Sequence, residues 1–404
     1  MMILIAPDKF KGSLTALEAA RAIERGIKRS DPEAETILLP LADGGEGTVD
    51  AVIYATGGTK KEIIVSGPLS IPIKAYFGII DSTHGPRTIH PTHDSQLMTH
   101  GSTAIIEMAL ASGLQLIPEE KRDPQLTTTY GTGELITTAL NTGCKRIIVG
   151  IGGSATNDAG MGMAQALGVK FYDKENREQI TGNGKDLKNI RRIDKSGLDP
   201  RIKDTEFVVA SDVKNPLYGP EGAAYIYAPQ KGATPEAVEE LDKGLRNFAK
   251  VVKDDLDLDV ASIPGSGAAG GLGAGLIAFA GAKIVSGIDL IMELVGFFEK
   301  ARDADLVITG EGKIDEQSFF GKVISGVSES AKKAGVPVVA VGGQVTVEEQ
   351  DLKKHDIDLV YSLVDGVVAP DYAMRNAAKL LEDKTTQMYY RLKQIVDKTF
   401  KQGD

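Results

Sequence analysis

One cysteine, Cys144, stands alone in 404 residues, so no disulfide forms within the chain. That suits a reducing compartment, and a cytoplasmic protein is expected. Positive charge is also short: 46 Lys and Arg face 56 Asp and Glu, a net charge of −10. This argues against nucleic acid or an anionic membrane as a partner. No apolar run approaches the ~20 residues of a membrane span. No basic segment precedes an apolar one in the manner of a signal peptide. Several chemical signatures are missing as well. There is no G-x-x-x-x-G-K-[ST] phosphate loop, and no serine sits in a G-x-S-x-G elbow. Four of the five histidines, His84, His90, His93 and His100, share the polar stretch Asp81–Gly101. They lack a fixed ligand spacing such as H-x₃-H, so a solvated loop is expected there and no metal centre.

What the chain does have is length, apolar content and glycine. At 404 residues it exceeds one ordinary domain, and its 42% hydrophobic residues suffice for two cores. The 46 glycines cluster in loops after apolar runs, which favours ligand-binding turns over disorder. Ile3–Ala6 reads as a buried parallel strand, and Thr15–Lys28 carries helical periodicity. Thr36–Leu41 is a second strand. Glu62–Val65 and Ile73–Ile80 read as a hairpin, and Ala104–Ala111, Gly133–Leu140 and Met161–Leu167 as helices. Strand–helix alternation returns from about Ile288, with strands at Leu306–Thr309, Pro337–Val341 and Leu359–Leu363. The simplest architecture is a two-domain α/β chain. Residues 1–60 and 286–404 form a Rossmann-like parallel-sheet domain from both chain ends, and 61–285 form an inserted second α/β domain.

The chemistry concentrates behind apolar runs. Lys145–Gly150 leads into Ile151-Gly152-Gly153-Ser154-Ala155-Thr156-Asn157-Asp158, and a helical run follows. Glycines at a strand-to-helix turn present backbone N–H groups to an anion. Ser154 and Thr156 add hydroxyls, and Asp158 offers a group for a metal or a proton. Asp8 with Lys11, Asp43 with Glu46, Asp212 with Asn215, and Glu311 with Asp315 share this context, each following an expected strand. Ligands of open α/β sheets bind outside the carboxyl ends of strands. Carboxylates, lysines and glycine turns in that place fit metal-assisted phosphoryl transfer. The competing reading is that each Asp caps the next helix. Gly267-x-x-Gly270 and Gly271-x-Gly273 follow Ile263-Pro264 without a clear strand, so the dinucleotide fingerprint is not met. Pro264–Gly275 is either a phosphate cradle or a close-packed helix start.

Seven strings make a resemblance specific. They are Pro7–Leu14, Ala42–Thr48, Gly150–Asp158, Asp212–Leu217, Pro229–Thr234, Gly267–Gly273 and Ile308–Asp315. Together, from about residue 2 to 380 and in order, they closely resemble the bacterial type I glycerate kinases. The resemblance implies transfer of the ATP γ-phosphate to D-glycerate, usually to its 2-hydroxyl, with Mg²⁺ as cofactor. It also implies a two-domain fold with an inserted domain. ATP and D-glycerate are then the expected partners, with neither nucleic acid nor membrane, and a homodimer stays open. The site is expected in a cleft between the domains. Three departures stand out: Lys9 replaces the usual Ser, Ala159 replaces a common Gly, and Ser82–Gly101 reads as an insertion.

From chemistry and position, Asp8, Lys11, Asp43, Asp212 and Asp315 are the expected catalytic residues. Lys11 would clamp the transferred phosphate as a point charge. Asp212 and Asp315 take the metal or base roles. Gly152, Gly153, Ser154, Thr156, Asn157, Gly270, Gly271 and Glu311 are the expected substrate and phosphate contacts.

Overall fold

The structure, a computed structural model, describes residues 1–81, 101–180, 182–319, 321–366 and 368–401. The four clustered histidines therefore lie outside the described residues, as does all but Gly101 of the Ser82–Gly101 stretch. Among the described residues there are thirteen strands. They are β1 (Met2–Ile5), β2 (Glu35–Leu38), β3 (Thr59–Ser66), β4 (Pro72–Ile80), β5 (Thr103–Glu107), β6 (Arg146–Gly150) and β7 (Lys170–Asp173). There follow β8 (Ile190–Asp194), β9 (Glu206–Ala210), β10 (Lys283–Val285), β11 (Leu306–Ile314), β12 (Val338–Val345) and β13 (Leu359–Ser362). The chain divides into two compact units. The first comprises Met1–Asp43, Asp50–Gly57 and Ile288–Asp404, and the second Gly44–Val49 and Gly58–Gly287.

In the first unit a five-stranded sheet has the order β13-β12-β11-β1-β2, with every pair parallel. β1 is short and apolar, and Ile3, Leu4 and Ile5 are fully buried. A strand covered on both faces reads as such a run. The helix Ala16–Ser30 starts at a capping box: the Glu18 N–H donates to Thr15 Oγ1, and the Thr15 N–H donates to Glu18 Oε2. That exchange satisfies two donors the first helical turn leaves open. Ala19, Ala20, Ile23 and Ile27 on its inner face join Ile3, Ile5, Ile308 and Val339 in one core.

In the second unit a six-stranded sheet has the order β10-β9-β6-β5-β4-β3. β5, β6, β9 and β10 are parallel, and the β3–β4 hairpin is antiparallel at the edge. β7 and β8 form a separate antiparallel pair. The long helix Pro235–Leu256 has Thr234 as N-cap and Pro235 at its first position, where a missing N–H costs nothing. Phe248 and Phe171 both pack edge-on against Phe279.

The sequence pattern misassigned one element. Ala104–Ala111 is expected to be a helix, but β5 occupies Thr103–Glu107 and only Ala109–Ser112 is helical. The strand is interior, paired with β4 on one side and β6 on the other. A short apolar run buried on both faces has no alternation to distinguish it from a buried helix. Among the described residues no helix is long and apolar enough to cross a membrane.

Candidate active site

Strand order in the first unit dictates which carboxylates meet. β1 lies between β2 and β11. Its pairing continues past the strand: the Asp8 N–H donates to Gly310 O at 2.8 Å, and the Leu41 N–H to Pro7 O at 3.0 Å. Asp8 thus follows the central strand, Asp43 follows β2, and Glu311 stands on β11. Asp8 is only 9% exposed and accepts the Lys9 N–H at 2.6 Å. Burial, then the like charge of Asp43, pushes Asp8 up to about 7. Lys9 opposes that rise and Glu311 adds to it. Burial also raises Glu311, whose Oε1 is buried without a partner among the described residues. Asp315 differs. Lys313 pairs with it at 3.0 Å and the Gln317 N–H donates to it, so its carboxyl is held below the ordinary range. Lys11 is exposed on the turn after β1.

The second unit carries the glycine-rich turn. β6 ends at Gly150 between β5 and β9. The segment Gly44–Val49 lies over these strand ends: a Cβ on Gly150 would sit 2.3 Å from Gly44 O, and one on Gly44 2.9 Å from Ala210 O. Glu107, at the end of β5, holds the segment. Its Oε1 accepts the Val49 N–H at 2.6 Å and its Oε2 the Gly47 N–H at 3.2 Å. Asp212 follows β9, and its Oδ1 accepts the Gly287 N–H at 3.1 Å.

Within the turn, Gly152 and Gly153 are exposed while Ser154–Asp158 are buried. Asp158 is committed to protein donors. It accepts from Thr129 N, Thr129 Oγ1, Gly160 N and Gly162 N at 2.7–3.3 Å. Burial raises its pKa and these four bonds oppose the rise. Its function in the structure is therefore to fasten the turn to the start of the helix Met161–Ala166. Its neighbours are not committed. Thr156 Oγ1 and both polar atoms of the Asn157 side chain are buried with no partner among the described residues. Beneath them lies Lys231, 2% exposed, whose Nζ donates to Ser154 Oγ and to Thr156 O, each at 2.7 Å. Burial pushes this ammonium down to about 7, and Asp158 opposes the fall.

Gly270 and Gly271 stand in the left-handed region, at φ 70° and 88°, inside the helix Ala268–Ala280. A Cβ on Gly270 would lie 2.0 Å from Thr156 O, and Gly270 O accepts the Ala159 N–H at 3.0 Å. Backbone packs on backbone here, which accounts for the glycines. Ala159 itself has φ 51°, a conformation that glycine adopts more readily than an L-residue.

Three anchoring residues escaped the sequence reading: Lys231, Glu107 and Thr129. Lys231 sits in one of the strings that carry the resemblance, and that string is the only signal for it. Glu107 lies in an apolar run and Thr129 in an unremarked polar one.

The glycerate kinase family model matches residues 3–393. A glycerate kinase of Halalkalibacterium halodurans is 50% identical over 380 residues, covering 94% of this chain and 95% of the relative. A glycerate 2-kinase of Escherichia coli K12 is 48% identical over 377 residues, covering 93% and 94%. A crystal structure of a provisionally assigned glycerate kinase 2 from Salmonella typhimurium LT2 superposes with a TM-score of 0.82 at 43% identity, covering 97% of this chain and 98% of that one. The turn, the strand-end carboxylates and this near full-length similarity together place the chain in the glycerate kinase family, as an ATP-dependent kinase.

Proposed function

We propose that the protein transfers the γ-phosphate of ATP to D-glycerate, at the 2-hydroxyl. The observation that carries this reading is the 48% identity, over nearly the whole length, to a relative named glycerate 2-kinase. In the proposal the glycerate hydroxyl oxygen bonds to the γ-phosphorus, the bond from that phosphorus to the ADP oxygen breaks, and the hydroxyl proton goes to a carboxylate. Asp8 suits that last role. A base works best when its pKa lies near the working pH, and Asp8 is pushed up to about 7. Lys11 meets the transferred phosphate. Gly152, Gly153, Ser154, Thr156 and Asn157 contact anionic oxygens, Gly270 and Gly271 hold that turn in place, and Glu311 with Asp43 keeps Asp8 protonatable.

Mg²⁺ belongs to the same proposal, and the donors fit it. Among the described residues no three His, Cys, Asp or Glu are grouped to hold an ion by themselves. Mg²⁺ ordinarily needs no such cage, being held by one or two carboxylates together with substrate phosphates and water. Asp315, kept ionised by Lys313, is a suitable hard oxygen donor, and Asp212 is the second we propose. When bound, the ion would neutralise phosphate charge during transfer. That the carboxylates of one unit and the turn of the other serve one reaction is part of this proposal.

The test is direct. ADP release by the purified protein should require both D-glycerate and a divalent ion, and phosphorus NMR should identify 2-phosphoglycerate. Turnover that ignores glycerate or the metal would sink the reading, and a 3-phosphoglycerate product would correct its position.

A further inference from the structure

We propose that Lys231 is a positioning residue. From beneath the Gly152–Asn157 turn, it fixes the Ser154 hydroxyl so that its hydrogen points at an oxyanion of a ligand, a carboxylate or phosphate oxygen. The inference rests on the reading of this turn as the anion site of the kinase.

The argument begins with proton inventory. At pH below about 7, to which burial lowers its pKa, Lys231 is an ammonium, and an ammonium only donates. Lys231 Nζ gives one hydrogen to Ser154 Oγ and one to Thr156 O, each at 2.7 Å. Ser154 Oγ is thereby an acceptor on its inner side, so its own hydrogen must point elsewhere. Among the described residues no hydrogen bond uses that hydrogen. The second bond, to the Thr156 carbonyl, fixes the backbone two residues on, so hydroxyl and turn are held by one cation.

The second observation is independent. Thr156 and Asn157 are both fully buried, and Thr156 Oγ1, Asn157 Oδ1 and Asn157 Nδ2 lack partners among the described residues. Leaving such groups unpaired costs free energy that a ligand of matching chemistry would recover. With Ser154, three of four consecutive side chains then have unmet hydrogen-bonding capacity, and the charge below them is positive. The donors of that set, the two hydroxyls and the Asn157 Nδ2 amide, select an anionic oxygen, and Asn157 Oδ1 can accept from a ligand hydroxyl. Lys231 Nζ already gives hydrogens to Ser154 Oγ and Thr156 O, so it acts on the ligand through Ser154. Asp158 balances its charge while being held by four donors of its own.

The alternative is a strut, a lysine that only ties Thr156 O in place. A double-mutant cycle on ligand affinity separates the two. Wild type, Ser154→Ala, Lys231→Met and the double variant of the full chain are titrated calorimetrically with D-glycerate, with inorganic phosphate and with ADP. For at least one probe, each single change should weaken binding about tenfold or more, the loss of a charge-assisted hydrogen bond. The double variant should bind no worse than the weaker single. D-glycerate responding identifies a carboxylate, and phosphate or ADP identifies a phosphate. Independent, multiplying losses overturn the proposal, as does wild-type affinity in Lys231→Met or a wild type that binds none of the probes.

If Lys231→Met does not fold, the ε-carbon NMR signal of Lys231 replaces it. That signal should move when the probe is added to wild type and stay put in Ser154→Ala; no movement in wild type overturns the proposal. D-glycerate turnover is measured alongside. Coupled binding without turnover sinks the functional reading and leaves this inference standing.

Discussion

Asp8 carries opposite consequences for rate and for stability. If it takes the hydroxyl proton it must be ionised, so kcat should fall as pH drops through about 7. Stability runs the other way. Its folded-state pKa is raised, so the native protein holds a proton that the unfolded chain has released between about pH 4 and 7. That contribution is complete below the unfolded pKa and is lost as pH rises through the folded one. Asp8→Asn should therefore cost on the order of 10²–10⁴ in kcat and raise the melting temperature at pH 8. Turnover and thermal melting across pH 5–9 check both. A helix cap would do the reverse, costing about 1 kcal/mol of stability and little rate. The same pair of measurements on Asp212→Asn and Asp315→Asn tells a metal or base role from a cap. Carboxylates such as Asp8 were legible because an acidic residue just after a short apolar run is a local pattern. Lys231 was not, since its partner Ser154 lies 77 positions away and nothing near it in sequence announces the contact.

Between strands and helices, the anchoring of Gly44–Val49 is the most exposed to test. Glu107→Ala leaves the Gly47 and Val49 N–H groups without their acceptor. The buried Val49 donor left unpaired costs about 1–3 kcal/mol and the half-buried Gly47 donor less, and hydrogen exchange at both amides should accelerate accordingly. Glu107→Gln, which keeps an acceptor oxygen, should recover part of the protection. Gly270→Ala meets two penalties at once: a Cβ 2.0 Å from Thr156 O and a left-handed φ of 70°. Overpacking and backbone strain each cost about 1–3 kcal/mol, so urea unfolding of the second unit should shift clearly downward. At this scale periodicity located most elements, among them the helix Ala16–Ser30 and the β3–β4 hairpin. It failed at β5, where burial on both faces erases the alternation. It also gave no sign that Gly270 and Gly271 meet the backbone of residues 156–159, a contact that only the folded chain defines.

At the scale of the whole molecule, each unit has its own apolar core. Phe171, Phe248 and Phe279 belong to the second and Ile3, Ile23, Ile308 and Leu381 to the first. Truncating a large buried aromatic costs about 3–5 kcal/mol. Phe171→Ala should accordingly raise hydrogen exchange in β5, β6, β9 and the helix Pro235–Leu256 more than in the strands β1, β11 and β12. A uniform rise in both units would show that they unfold as one, and a single free energy would then describe the chain.

The first unit's sheet has a consequence for the ribosome. β1 emerges well before one of its flanking partners, β11, which begins about 300 residues later, with Ile3 set beside Leu306. Translation at ~5–20 residues per second leaves that edge of β1 waiting for at least about 15 seconds. The Gly58–Gly287 body is completed in the interval and has every strand of its own sheet to hand. Synthesis therefore imposes an order: the body encoded in the middle matures first, and the opening segment needs shelter until the closing one arrives. Nascent chains arrested near residue 300, exposed well clear of the exit tunnel, should resist protease at β5, β6, β9 and the helix Pro235–Leu256, while residues 1–40 are cleaved. Protection of those residues should appear only once β11 and β12 have emerged.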